Sequence, residues 1–121
     1  MSWENYQFSS LLGKTLTSVY EMDDEIVFVV DDKEKYHLYH SQDCCEHVTI
    51  DDINGNLQDL IGSPILLAQE TSNSDEPPKE GSDESFTWTF YKFATINGSV
   101  TIRWLGESNG YYSESVEIVE V

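Results

Sequence analysis

Apolar and polar positions in this chain alternate every second residue far more often than they cycle with a helical period, which is the pattern of half-buried strands. The first residues are the exception. Positions 5–12 read as a short helix, with Gly13 as its stop. Residues 14–22, rich in Thr, Val and Tyr, predict a strand. Asp23-Asp24 makes a turn, 25–30 a second strand, Asp31-Asp32-Lys33 a second turn and 34–40 a third strand. Three strands joined by such short turns predict an antiparallel meander.

Residues 41–45 connect to the next alternating run, 46–53, where Val48 and Ile50 share one face and His47 and Thr49 the other. Asn54-Gly55 marks a turn. Asn56 is placed to cap a single helical turn over 57–61 that Gly62 ends and Pro64 keeps ended. Residues 65–71 predict a further strand. Residues 72–84, SNSDEPPKEGSDE, read as a mobile acidic loop. A long hairpin follows: Phe86, Trp88 and Phe90 face one way on its first arm, Tyr91 and Phe93 the other, and Val100, Ile102 and Trp104 share a face on the return. Asn97-Gly98 is the expected turn between them. Val116 and Ile118 suggest a last strand. The expectation is one mainly β domain (α+β) over 1–121: a single antiparallel sheet, or a small sandwich or barrel, of about six to eight strands with one or two short helices.

Composition adds a strong electrostatic bias. The chain of 121 residues carries 23 Asp and Glu against 6 Lys and Arg, a formal charge of −17. That field repels phosphate backbones, so direct nucleic-acid binding is not expected, whereas basic proteins are attracted and steered in. The longest apolar run, 26–30, is strand-sized, so no membrane segment is expected. The first residues lack the basic and apolar regions of a signal peptide, which points to the cytoplasm and to Cys44 and Cys45 as reduced thiols.

The stretch YHLYHSQDCCEH, 36–47, holds all three histidines and both cysteines. His40, Asp43, Cys44 and Cys45 are metal-ligand types, but their spacing matches no CxxC or HxxxH pattern, and adjacent cysteines do not share one tetrahedral zinc readily. The expected reading is a strand and tight connection with buried thiols. A small-ligand or metal sequestering or sensing module centred on 40–45 is the alternative. A cysteine nucleophile beside His40 or His47 lacks any surrounding signature. The acidic run at 51–56 fails the EF-hand pattern, since position six counted from Asp52 is Leu57 rather than Gly. No P-loop, GxGxxG, GxSxG or HExxH occurs, and Arg103 is the lone arginine, so no cluster of guanidinium groups can clamp phosphates. The chain therefore reads as a non-enzyme without a cofactor.

The acids come in clusters at predicted strand ends: Asp23, Asp24 and Glu25; Asp31 and Asp32; Asp51 and Asp52. Carboxylates at successive turns of a sheet are expected to make a row or patch, and Tyr111 and Tyr112 beside Asn109-Gly110 are the expected hot-spot anchors next to it. Several runs, LLGKTLTSV at 11–19, YHLYHSQDCCEHVTIDDI at 36–53, DLIGSPILLAQE at 59–70 and FTWTFYKFATINGSVTIRWLGESNGYYSESV at 86–116, resemble a family of small, functionally uncharacterised acidic domains encoded in phage and prophage genomes. The resemblance brings no catalytic residues. It implies a phage accessory protein in the cytoplasm of a bacterial host. Together with the charge, it leads to the expectation of a stoichiometric inhibitor of a basic, nucleic-acid-binding defence protein, of anti-CRISPR or anti-restriction type, acting by nucleic-acid mimicry. The oligomeric state is left open, a dimer included.

Overall fold

The computed structural model describes residues 8–31, 33–42, 45–74, 85–109 and 113–120. Within them, eight strands form two four-stranded antiparallel sheets. The first sheet holds β1 (Leu16–Glu21), β2 (Ile26–Val30), β3 (Glu34–Tyr39) and β8 (Glu117–Glu120), in the order β1-β2-β3-β8. The second holds β4 (His47–Asn54), β5 (Leu67–Asn73), β6 (Ser85–Thr95) and β7 (Gly98–Ser108), in the order β4-β7-β6-β5. Both sheets keep two edges, so of the architectures expected above the molecule is the sandwich and not a closed barrel.

Alternation decides which side chains fill the space between the sheets. Ile26, Phe28 and Val30 of β2, with Tyr36 and Leu38 of β3, meet Tyr91, Phe93, Val100, Ile102 and Trp104 of the second sheet in one core. Phe28 and Phe93 touch across the layers, their ring centroids 5.0 Å apart and tilted by 51°. Removing such a side chain from water contributes about 1.5–3 kcal/mol each.

The first hairpin turns on Asp23 and Asp24, at φ 49° and 56°. Two left-handed residues in succession make a type I′ turn, whose twist matches that of the flanking strands, and Asp tolerates this conformation better than most residues. Met22 N donates to Glu25 O across it at 2.8 Å. At the other end of β4, the Asn56 side chain accepts from Gln58 N at 3.0 Å and caps a 3-10 turn, Leu57–Leu60, as the spacing predicts.

Three expectations need correction. The helix expected over 5–12 is, within the described residues, a 3-10 turn at Phe8–Leu11. A helix that short cannot offset its nucleation cost, and Gly13, at φ 81°, turns the chain so that its N–H donates to Ile65 O instead. The loop expected from residue 72 starts later, because β5 pairs with β6 as far as Asn73 opposite Trp88; residues 75–84 lie outside the described residues. The long hairpin turns on Ile96 and Asn97 rather than on Asn97-Gly98, since Thr95 pairs with Gly98. Buried Thr95 explains the offset: its hydroxyl donates to Asp59 O at 2.6 Å and accepts from Asn97 N at 3.2 Å, fixing the turn one residue early.

The chain crosses between sheets twice, first between β3 and β4 and again between β7 and β8. Gly106 lets the second crossing pass close over β7: a Cβ there would stand 2.7 Å from Glu114 O.

Candidate functional site

The two crossings meet at His40. Its side chain is 4% exposed and that of Glu46 is fully buried. Nδ1 lies 2.7 Å from Ser115 O in the second crossing, and Nε2 lies 2.8 Å from a Glu46 carboxylate oxygen. A carbonyl only accepts, so Nδ1 carries a hydrogen. The second bond needs one more proton, held on the ring or on the carboxyl. Every polar atom of the ring is then engaged, and the pair is charge-assisted if the ring holds both protons. Gln42 Nε2 donates to Glu46 O at 2.6 Å and closes the connection. Sequence reasoning passed over Glu46, although a signal was present: Glu46, Val48 and Ile50 fall in a period of two, which puts an acid on the inward face.

Above this pair lies the first hairpin turn. Asp24 Oδ1 accepts from Ile50 N at 3.3 Å, so the turn of one sheet covers the free edge of β4 in the other. The register of β4 shifts between Ile50 and Asp52. Asp51, at this bulge, ion-pairs with Arg103, whose Nε donates to Oδ2 at 2.7 Å and whose guanidinium stacks over Trp88 at 5.3 Å. Exposed Asp24 of the first sheet thus comes against the strand of the second that carries exposed Asp51 and Asp52.

The remaining expected site residues divide. Glu25 ion-pairs with His37. Asp31, at φ 52°, stands in the turn at the far end of β2. Successive hairpin turns point to opposite ends of a sheet, so Asp31 stands apart from the Asp23-Asp24 turn. Asp32, Asp43, Cys44, Tyr111 and Tyr112 lie outside the described residues.

A pocket of about 380 Å³ opens between the turn and the first crossing. Asp23, Asp24, His40, Glu46, His47 and Thr49 line it, with Cys45 at its wall. The acid pair and the histidine-rich stretch, which the sequence presents as separate leads, therefore share one cavity. Among the described residues, no group of three or more His, Cys, Asp or Glu side chains is placed to hold a metal ion. Cys45 is disulfide-bonded and presents no thiolate, which corrects the free thiol that compartment alone had suggested. No helix among the described residues is long and apolar enough to cross a membrane.

The chain belongs to a family described as a domain of unknown function, DUF7448, whose profile matches residues 9–118. No curated protein and no solved structure matches it.

Proposed function

We propose that this member of the DUF7448 family is a stoichiometric inhibitor that binds a basic, nucleic-acid-binding protein and fills its nucleic-acid groove with carboxylates. The observation that carries the reading is the docking of the exposed Asp23-Asp24 turn against β4 by the hydrogen bond from Ile50 N to Asp24, on the strand that also carries exposed Asp51 and Asp52, of which Asp51 is ion-paired with Arg103. These four belong to a chain of charge −17, so an approaching basic surface meets the local group inside a long-range field of the same sign. A groove that evolved to hold phosphates offers the complementary surface. The resemblance to phage and prophage domains suggests the target class: a cytoplasmic defence effector of the bacterial host, of anti-CRISPR or anti-restriction type. The mode of action is occupancy, and no catalytic group or cofactor takes part.

The test is capture from nucleic-acid-depleted bacterial extract on the immobilised protein at about 50 mM salt, followed by a salt gradient and by competing duplex DNA. The expected result is one dominant basic protein, eluted as salt rises through a few hundred millimolar and displaced by the duplex. A captured partner that duplex DNA leaves in place would overturn the mimicry reading.

A further inference from the structure

We propose that Asn54-Gly55, at the end of β4, is a self-modification site, at which Asn54 loses its side-chain nitrogen and becomes aspartate or isoaspartate. The inference stands independently of the inhibitor reading.

The chain holds three Asn-Gly pairs, at 54–55, 97–98 and 109–110. In such a pair the glycine nitrogen can attack the asparagine side-chain carbonyl carbon, because glycine has no Cβ to stand in the way. The fold gives the pairs different freedom. Gly110 lies outside the described residues. Asn97 is held from both sides: its Nδ2 donates to Ser63 Oγ at 3.2 Å, and its backbone N–H donates to Thr95 Oγ1 at 3.2 Å. Gly98 is paired with Thr95 in the β6-β7 ladder. A Cβ on Gly98 would stand 2.8 Å from Asp59 Oδ2, so a carboxylate lies against the residue whose nitrogen has to give up its proton.

Asn54-Gly55 lacks these restraints. Both residues are exposed. Among the described residues, no hydrogen bond holds the Asn54 side chain, and the Gly55 N–H donates to no backbone carbonyl. Asn54 closes the β4-β7 ladder opposite Thr101, so only the last pair has to open for the side chain to reach the Gly55 nitrogen. Openings at the end of an element are the least costly ones. In the reaction the Gly55 nitrogen bonds to Asn54 Cγ, its proton leaves with the side-chain nitrogen as ammonia, and a five-membered succinimide closes. Water then opens the ring. Breaking the new Cγ–N bond gives aspartate; breaking the original peptide C–N bond gives isoaspartate, with the chain running through Cβ and Cγ. One water is consumed, one ammonia is released, and nothing is oxidised or reduced. The aspartate adds a carboxylate to the strand that carries exposed Asp51 and Asp52. The isoaspartate lengthens the backbone by a methylene and unseats Gly55, which packs so closely that a Cβ on it would stand 2.5 Å from Ser99 O.

The experiment incubates the full chain in mildly alkaline buffer and follows each Asn-Gly pair by peptide mass mapping. A parallel sample in concentrated urea gives the rates without the restraints of the fold. Asn54 should convert in the folded chain within about threefold of its unfolded rate, whereas folding should slow Asn97 about tenfold or more. The product at position 54 should be a mixture of aspartate and isoaspartate, the second counted by isoaspartyl methyltransferase labelling. Asn54→Gln, whose attack needs a six-membered ring, should abolish conversion at position 54 and leave the rate at Asn97 unchanged. An Asn97 that converts as fast as Asn54 in the folded chain would overturn the inference. So would an Asn54 that folding slows as much as Asn97.

Discussion

Replacing His40 with Leu isolates the contribution of the buried pair. The substitution leaves the Glu46 carboxylate, with no exposed side-chain surface, facing an isobutyl group. Ser115 loses its donor as well, but it is exposed, so water can take the place of Nδ1. The loss of the imidazole from the buried carboxylate therefore accounts for most of the effect, and breaking a buried pair from one side costs about 3–5 kcal/mol. For a chain of this size that is a fall in Tm of roughly 12–20 °C. Glu46→Leu should cost a similar amount, since it strands an imidazole that is 4% exposed. The double variant should be more stable than either single one, because two apolar side chains of similar volume remove both desolvation penalties together. Urea unfolding of wild type, both single variants and the double variant closes a cycle, with a coupling energy expected above about 2 kcal/mol. Additive single effects, each below about 1 kcal/mol, would refute the reasoning and mean that the carboxylate is solvated.

Gly106→Ala should destabilise by about 1–3 kcal/mol by the cost of overpacking, because the new Cβ meets the backbone of the second crossing rather than a yielding side chain; urea unfolding measures it. Burial, with Glu70 as hydrogen-bond partner, pushes the Tyr91 phenol above its ordinary value of 10.0. Its contribution is therefore fully present below pH 10 and is lost as pH rises beyond it, when the unfolded chain sheds a proton that the folded one keeps; Tyr91→Phe should flatten the alkaline limb of a plot of stability against pH. Among the described buried side-chain atoms, Trp104 Nε1 stands without a hydrogen-bond partner. Trp104→Phe should then cost less than about 1.5 kcal/mol, since removing the stranded N–H offsets part of the lost packing, whereas Trp104→Ala should cost about 3–5 kcal/mol. Calorimetry of the two variants distinguishes them.

Much of the sandwich is legible in the chain because period-two alternation and short polar turns are local signals. The β1-β2-β3 meander, the β6-β7 hairpin and the Asn56-capped turn all follow from residues within a few positions of one another. What is not legible is what depends on distant partners. The offset of the β6-β7 turn comes from Thr95 bonding to Asp59. The pairing of β8 with β3, placing Val119 opposite His37, has no local signature. The candidate site lies between these extremes. Its residues are conspicuous one by one, as a pair of acids in a turn and as histidines in a cluster, yet their meeting depends on where two crossings pass. Glu46 was readable as an inward-facing acid from its register with Val48 and Ile50, and His40 as its partner was not.

The same crossings set an order of assembly. During synthesis β8 emerges after every other strand, and until it pairs, β3 stands as an open edge beside the fully buried β2. The β6-β7 hairpin can form early from local contacts, but the first sheet waits on a pairing that spans most of the chain, and such long-range closure slows folding. His40 donates to Ser115 just ahead of β8, so that bond forms only as the last strand docks. A nascent chain therefore carries a sticky edge for most of its time on the ribosome, and aggregation in over-expression should originate at β3 rather than at the acidic end.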